Sequence, residues 1–265
     1  YIAPSPGGDA VRNPNTLPTG RNLFSINAEN TPTLSAWNNG KALAEATIEQ
    51  YRRKHGSYPH KVSYTFWAGE FIESEGTTLA QALYMLGVEP IRDGMNRVTD
   101  LRLIPSEELQ RPRIDIVVQT SGQLRDLAAS RLLMITRAIK MAADAGNDRY
   151  GNYVAEGTVS SEKMLVDKGI PPVEARNLSL MRVFGGLNGH YGTGIMSLVE
   201  KGDAWEDTKE VAETYMNNMG AIYGSEKEWG AFSQHLFEVA LQNTDIVVQP
   251  RQNNTWGALS LDHVY

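Results

Sequence analysis

The chain has 265 residues and a net charge of −6, from 25 basic and 31 acidic side chains, and 41% of its residues are hydrophobic. These proportions are typical of a globular protein with a sizeable core, and the acidic balance disfavours nonspecific binding to nucleic acid. The absence of cysteine excludes disulfides, zinc–thiolate sites and thiol nucleophiles. It is consistent with a reducing compartment, so we expect a cytoplasmic location. The apolar runs are far shorter than the roughly 20 residues of a membrane-spanning helix, so no span is expected.

The first elements alternate between helix and strand. Residues 1–32 are rich in proline, glycine and asparagine, which predicts an extended strap. A helix is predicted to begin after Thr33, as its N-cap, and to end at Gly56, because apolar residues recur at helical spacing between them. Segment 62–69 (VSYTFWAG) is β-branched and aromatic, which predicts a buried strand. It leads into an acidic segment, 69–78, predicted as a loop, and then into a helix, LAQALYML.

The alternation continues to about residue 146. Two short strands, VEPIRD and VTDLRLI, are predicted on either side of a turn, and a short helical link, SEELQRPR, follows them. Segment 113–120 (RIDIVVQT) predicts a second buried strand, after which SGQLRD opens a helix predicted to continue through Met141. Strands that alternate with helices favour parallel pairing, so we predict a three-layer α/β lobe over 33–146.

Residues 147–265 are predicted to form a helix-rich α/β region, so the predicted fold is a mainly parallel α/β lobe followed by this region. Its predicted elements are a helical hairpin around Met164 and Glu174, a glycine-rich segment at 181–195, helices at about 206–218 and 225–242, and a last strand at 244–250.

Ligands bind beyond the carboxyl ends of the strands in sheets of this kind. The acidic segment lies at one such end and carries Glu70, Glu73 and Glu75. Closely spaced carboxylates exchange protons or hold a cation. The alternative is a solvated loop whose charges favour the start of the next helix. Trp67 ends the strand there and is a candidate wall for a flat ligand, with core packing as the alternative.

The glycine-rich segment, MRVFGGLNGHYGTGI, places five glycines around His190 and Tyr191. Glycines allow close backbone approach, and an imidazole is a common base or metal ligand near neutral pH. The alternative is a histidine that is hydrogen-bonded within a tight turn. The segment lacks the Gly-Lys-Ser/Thr ending of a P-loop, so ATP hydrolysis by that route is excluded for it. Arg125 and Arg182 are candidates to hold ligand carboxylates, with structural ion pairs as the alternative.

Several motifs together resemble one family. They are PSPGGD with LPTGRN, WAGE, LAQALYMLGVEP, RPRIDIVVQ with SG-x-x-RD, MRVFGG with YGTG, and TDIVVQPRQNN with LDHVY. In this order they resemble the large subunit of cobaltochelatase and the porphyrin-binding H subunit of magnesium chelatase. The resemblance covers the chain from Pro4 to Tyr265. Members of that family are several times longer, so the chain resembles an internal region.

The resemblance implies ATP-dependent insertion of a divalent metal into a corrin or porphyrin ring. The glycine-rich segment is nearer the cobalt type, so cobalt(II) is favoured over magnesium as the substrate metal. Partner subunits of the AAA+ ATPase type are implied to use the ATP, which is not expected to bind here. The region by itself is expected to be inactive.

The resemblance also suggests roles for individual residues. We expect catalytic roles for Glu70, Glu73, Glu75 and His190. We expect tetrapyrrole contacts from Trp67, Arg125, Arg182, Gly189, Tyr191 and Gly192. His190 and Glu75 are the candidate metal contacts. In one departure from the family pattern, Thr77 occupies a position where many relatives have an acid. Two alternatives therefore stay open, namely a tetrapyrrole carrier or sensor without insertion activity, and a docking scaffold for the ATPase partners.

Overall fold

The structure is a computed structural model that describes residues 5–6, 17, 20, 22–24, 26–147, 149–189, 192–195 and 207–250. The strands are β1 Ser5–Pro6, β2 Asn22–Phe24, β3 Lys61–Phe66, β4 Val88–Arg92, β5 Val98–Leu103, β6 Asp115–Thr120, β7 Val183–Gly185, β8 Ala221–Ile222 and β9 Ile246–Val248. The helices are α1 Leu34–His55, α2 Ala68–Glu73, α3 Thr77–Met85, α4 Ser106–Leu109, α5 Gly122–Leu127, α6 Ala129–Asp144, α7 Tyr153–Asp167, α8 Pro172–Leu178, α9 Thr208–Met219 and α10 Gln234–Leu241.

The central element is a five-stranded sheet in the order β8-β7-β6-β3-β9. Strands β7, β6, β3 and β9 are parallel, and β8 is antiparallel to β7. Alternate residues of β6 point to opposite faces, so Ile116 and Val118 join one hydrophobic cluster and Val117 joins another. The first cluster includes residues of α1, α3 and α6, and the second includes residues of α7, α8 and α10. This arrangement confirms the predicted three-layer, mainly parallel α/β fold.

Helix α1 has the predicted limits. Thr33 Oγ1 accepts a hydrogen bond from the Ala36 N–H at 3.2 Å, and Gly56 ends the helix with a φ of 74°. Gly40 allows α1 to lie directly on α3, because a Cβ there would be 2.5 Å from the Cβ of Ala80. The acidic segment and α3 are therefore fixed against α1.

Two buried arginines of the RPRID motif fix the other end of α3. Arg111 donates hydrogen bonds to the carbonyl oxygens of Tyr84 and Met85, at 2.5 and 3.2 Å. Arg113 donates to the carbonyl oxygen of Gly87 at 2.8 Å. Cations are favourable at the carboxyl end of a helix, where carbonyl groups lack partners within the helix. The motif therefore holds the helix whose amino end lies at the acidic segment.

Three predicted elements were wrong in detail. The acidic segment is not a loop throughout, because 68–73 form α2 and bury Phe71 to 1% exposure. The long helix predicted through Met141 is broken at Ala128, whose φ of −138° and ψ of 39° are not helical. The helix predicted over 225–242 begins only at Gln234, after an irregular stretch that follows β8. Short helices and breaks of this kind are decided by tertiary packing, which local periodicity does not report.

The last predicted strand, 244–250, is confirmed as β9 and pairs with β3. The five-stranded sheet thus takes β3 and β6 from residues 33–146 and β7, β8 and β9 from residues 147–265. The domain boundary near residue 146 lies in the connection between α6 and α7, and it stays a prediction. No helix within the described ranges is long and apolar enough to cross a membrane.

Candidate functional site

A cavity of about 750 Å³ lies beside the carboxyl end of β9, at the edge where the four parallel strands end. Helices α1, α2 and α3 supply the rest of its wall. Its lining residues are Asn39, Ala42, Leu43, Glu70, Glu73, Ser74, Thr77, Thr78, Gln81, Val248, Gln249 and Pro250. The structure therefore provides a ligand-sized space at the edge where the parallel topology predicts one.

Glu70 is the most unusual group in this cavity wall. Its Oε1 accepts hydrogen bonds from the hydroxyls of Ser74 and Thr78, at 2.7 and 2.8 Å. Its Oε2 is buried and has no hydrogen-bond partner among the described residues. Burial raises the pKa of Glu70, the two hydroxyl bonds oppose that rise, and the nearby charge of Glu73 adds to it. A carboxylate in this condition has one oxygen available to take up a proton.

The other two predicted glutamates have different surroundings. Glu73 is exposed and lines the same cavity. Glu75 has a positive φ of 55°, and its Oε2 accepts a hydrogen bond from the Thr33 hydroxyl at 2.8 Å. The Glu75 carbonyl also accepts from the Thr33 N–H at 3.2 Å, so Glu75 fixes the start of α1. The structure thus brings Glu70 and Glu73 together and places Glu75 outside the cavity lining.

Thr77 lies in the cavity wall together with Glu70. Its N–H donates to Ser74 Oγ at 3.1 Å, and its hydroxyl donates to the Ser74 carbonyl at 3.0 Å. Trp67 is half-buried at the N-cap position of α2, directly after β3. Its predicted tetrapyrrole contact stays a prediction.

Arg125 lies at the same edge of the sheet, in helix α5, which follows β6. Its Nη1 donates to the Gly186 carbonyl at 3.3 Å and to the Tyr223 hydroxyl at 3.2 Å, and its Nε donates to Asp126 at 2.8 Å. The Tyr223 hydroxyl in turn donates to the Gly186 carbonyl at 2.6 Å. These bonds join α5 to Gly186, which follows β7, and to Tyr223, which follows β8. The hydrogen bonds of Arg125 are thus made within the protein, and a ligand contact for it stays a prediction.

The glycine-rich segment is described only in part. His190 and Tyr191, predicted as base, metal ligand and ring contact, lie outside the described residues. Gly189 has a φ of 84° and is exposed, as is Gly192. The end of the segment contacts α9, where Asn218 Nδ2 donates a hydrogen bond to the Thr193 carbonyl at 2.8 Å. Within the described ranges, no group of three or more His, Asp or Glu side chains converges as a metal site.

Arg182 lies at the opposite, amino end of the strands. It is fully buried, and its Nε is 3.2 Å from Asp115 Oδ1. Lys61 Nζ is 3.6 Å from Asp115 Oδ2 and donates to the carbonyls of Ala240 and Gln242, at 3.0 and 2.9 Å. Burial lowers the pKa of Lys61, and the charge of Asp115 opposes that shift. The geometry at Arg182 favours the ion pair that the sequence left open as the alternative to ring binding.

Sequence reasoning did not identify Ser74, Thr78 or Tyr223. The Glu70–Ser74 spacing is that of neighbours on one helical face, which becomes a signal only once 68–73 are recognised as helical. Tyr223 carried no comparable local signal, because its partners lie far away in the sequence.

Comparison with known proteins gives consistent results. The CobN/Magnesium Chelatase family model matches residues 1–265. The chain is 33% identical over 268 residues to the aerobic cobaltochelatase subunit CobN of Sinorhizobium sp., covering 100% of this chain and 21% of that protein. It is 30% identical over 268 residues to the chloroplastic magnesium-chelatase subunit ChlH of rice, covering 100% of this chain and 19% of that protein.

A solved structure also matches. The catalytic subunit of cobaltochelatase from Mycobacterium tuberculosis superposes with a TM-score of 0.82 at 30% sequence identity, over 94% of this chain and 20% of that one. The chain thus spans about a fifth of the length of the curated relatives it matches. Similarity at this level extends to the fold as well as to the sequence.

Proposed function

The chain belongs to the CobN/magnesium chelatase family, and we propose that it is the part of a longer chelatase that accepts a ring proton while a metal enters a tetrapyrrole. The observation that carries the proposal is the Glu70 carboxylate, which has one buried oxygen without a hydrogen-bond partner among the described residues. It lines a cavity of about 750 Å³ at the carboxyl edge of the sheet.

Metal insertion releases the inner N–H protons of the ring, two from a porphyrin and one from a corrin, so the reaction needs a base at the ring. A general base works best when its pKa lies near the pH of the reaction, and burial moves the pKa of Glu70 in that direction. In this proposal Oε2 of Glu70 takes up the ring protons one at a time. The exposed carboxylate of Glu73 in the same cavity passes protons on to water.

The substrate metal in this proposal is cobalt(II), with magnesium as the alternative, because the glycine-rich segment is nearer the cobalt type. The ring is a corrin or porphyrin, and AAA+ ATPase partners use the ATP. A chelatase substrate metal is supported by the names of the relatives, which include both cobalt and magnesium chelatase subunits. The ring, the ATPase partners and a cytoplasmic location rest on the motif resemblance alone.

A second candidate function is a tetrapyrrole carrier or sensor without insertion activity. It is favoured by Thr77, which lies in the same cavity wall as Glu70 and places a hydroxyl where many relatives have an acid. The two functions differ in one measurable respect. A carrier binds the ring but does not insert metal after the ATPase partners and ATP are added.

The test uses the full-length parent protein with its ATPase partners. Insertion of cobalt and of magnesium is followed by the change in ring absorbance, and ring binding is followed by fluorescence quenching. We expect Glu70→Gln to lower the insertion rate about 10²- to 10⁴-fold, the usual contribution of a general base, with ring binding retained. Glu107→Gln, the same change at an exposed position on α4, serves as the control.

Insertion that is unaffected by Glu70→Gln would show that Glu70 is not the base. A wild-type protein that binds the ring and never inserts a metal would establish the carrier function instead.

A further inference from the structure

Two hydroxyl groups converge on a single oxygen of Glu70. Ser74 Oγ donates to Oε1 at 2.7 Å, and Thr78 Oγ1 donates to the same atom at 2.8 Å. The other oxygen, Oε2, is buried without a hydrogen-bond partner among the described residues. The two oxygens of one carboxylate are therefore in different environments.

The backbone fixes both donors. Ser74 follows α2 by one residue and Thr78 is the second residue of α3, so the turn between the helices sets their separation. Ser74 Oγ accepts the Thr77 N–H at 3.1 Å, so the hydroxyl proton of Ser74 is left to point at Glu70. Gly76 makes the turn with a φ of 89°, and a Cβ there would lie 2.4 Å from Thr31 Cγ2. The turn is thus held by the residues before α1.

We propose that Ser74 and Thr78 are positioning residues, which saturate Oε1 of Glu70 and thereby reserve Oε2 for proton exchange with the ring in the cavity. A carboxylate held by two donors on one oxygen cannot rotate without breaking both hydrogen bonds. Oε2 is then kept at one place in the buried part of a residue that lines the cavity. This inference rests on the proposed function, because it assigns the oxygen through which Glu70 acts.

The charged surroundings of Glu70 make the inference testable by pH. Helix α2 contributes Glu73, whose charge faces Glu70. The cavity residues from α1, from α3 and from the end of β9 carry no titratable side chain, and they are Asn39, Ala42, Leu43, Thr77, Thr78, Gln81, Val248, Gln249 and Pro250. Of the cavity-lining residues, Glu73 is thus the one titratable neighbour of Glu70.

The key variant is Thr78→Val in the full-length protein, which removes one donor and keeps the side-chain shape. A hydrogen bond donated to the charged form stabilises it, so its loss makes the Glu70 carboxyl harder to ionise. We expect the acidic limb of the insertion rate to move to higher pH by about one pH unit, which is the usual worth of a hydrogen bond to a charged group. Thr78→Ser, which restores the hydroxyl, is expected to return the limb to its wild-type position.

A second readout does not need chelatase activity. The C=O stretch of the protonated Glu70 carboxyl is followed by infrared difference titration and identified by its loss in Glu70→Gln. Its midpoint is expected to move upward in Thr78→Val and also in Ser74→Ala. Thr77→Val is the matched control, because the Thr77 hydroxyl donates to the Ser74 carbonyl and not to Glu70. It is expected to leave the midpoint unchanged.

An unchanged midpoint in folded Thr78→Val and Ser74→Ala proteins would overturn the inference. An equal shift in Thr77→Val would do so as well, because it would show a general effect of the cavity wall. If the infrared midpoint moves as expected while insertion does not depend on Glu70, the proposed base function fails and the positioning of the carboxyl stands.

Discussion

The two ends of the same parallel sheet treat a buried carboxylate in opposite ways. At the amino end, Asp115 is 1% exposed and lies between two buried cations, Lys61 and Arg182. Arg182 also donates to the carbonyls of Ser179 and Met181, at 2.5 and 3.1 Å. At the carboxyl end, Glu70 has no cation partner among the groups that shift its pKa, and one of its oxygens is unpaired within the described structure.

The charge of Asp115 stabilises the fold through its two cation partners, whereas the charge of Glu70 has no such partner among the groups that shift its pKa and suits acid–base chemistry. A buried ion pair with satisfied hydrogen bonds has little left to offer a ligand, and its loss leaves uncompensated charge in the interior. A buried carboxylate without a cation binds protons more readily, which suits acid–base work. The same chemical change, acid to amide, should therefore have opposite consequences at the two ends.

The largest loss of stability is expected from Asp115→Asn. The change leaves Lys61 and Arg182 buried side by side without a counter-charge, which typically costs about 3–5 kcal/mol. We expect this loss of stability to appear as faster hydrogen exchange in peptides from β3 and β6 of the full-length protein. Ring binding and insertion should fall only in proportion to the folded fraction. Wild-type exchange rates in this variant would show that the ion cluster does not stabilise the sheet.

An intermediate effect is expected from Tyr223→Phe. The Tyr223 hydroxyl accepts from Arg125 and donates to the Gly186 carbonyl at the carboxyl edge, so its loss removes two buried hydrogen bonds and leaves the direct bond from Arg125 to that carbonyl. We expect a cost of about 1–3 kcal/mol in the local stability of β7 and β8, measured by hydrogen exchange.

Tyr64→Phe provides the contrast to that change. Tyr64 is fully buried in β3, and its hydroxyl has no hydrogen-bond partner among the described residues. Removing such a hydroxyl is expected to be neutral or stabilising. Equal losses of stability in Tyr223→Phe and Tyr64→Phe would mean that the hydrogen bond from the Tyr223 hydroxyl to the Gly186 carbonyl does not stabilise the fold.

The smallest change in stability is expected from Glu70→Gln, and it is a gain, whereas Asp115→Asn and Tyr223→Phe lose stability. Burial raises the pKa of Glu70 in the folded state above its unfolded value, so ionisation opposes folding. The wild type therefore loses stability as pH rises from the unfolded value, about 4.3, through the higher folded value. We expect the amide variant to be at least as stable as the wild type at pH 7 and to show no such advantage at pH 3. Hydrogen exchange of α2 and α3 at several pH values measures the difference, and a destabilised variant at pH 7 would contradict it.

Much of this fold was predictable because local patterns are strong in its long elements. Thr33 and Gly56 delimit α1 as predicted, since capping chemistry acts within one turn. The buried strands β3 and β6 were also predicted, and their parallel pairing placed the acidic segment at the correct edge. The break at Ala128 was not predictable, because no proline, glycine or capping residue stands at that position.

The candidate site was predictable only as a region. The motifs by themselves determined the family and the carboxyl edge of the sheet, and they selected three neighbouring glutamates as candidates. Tertiary structure decided the hydrogen bonds of each glutamate. Glu75 accepts a hydrogen bond from Thr33, whereas both hydroxyl donors of Glu70, Ser74 and Thr78, bind its Oε1 and leave Oε2 without a partner among the described residues.

The arginines illustrate the same division. Arg125 comes after β6 and Arg182 comes directly before β7, and they lie at opposite ends of the sheet. Arg182 meets Asp115 across 67 residues of sequence, and Arg125 meets Tyr223 across 98. Periodicity and capping report interactions within a few residues, so the sequence determines which elements form. The hydrogen-bond partners and the burial of each charged group depend on distant segments, and only the tertiary structure decides them.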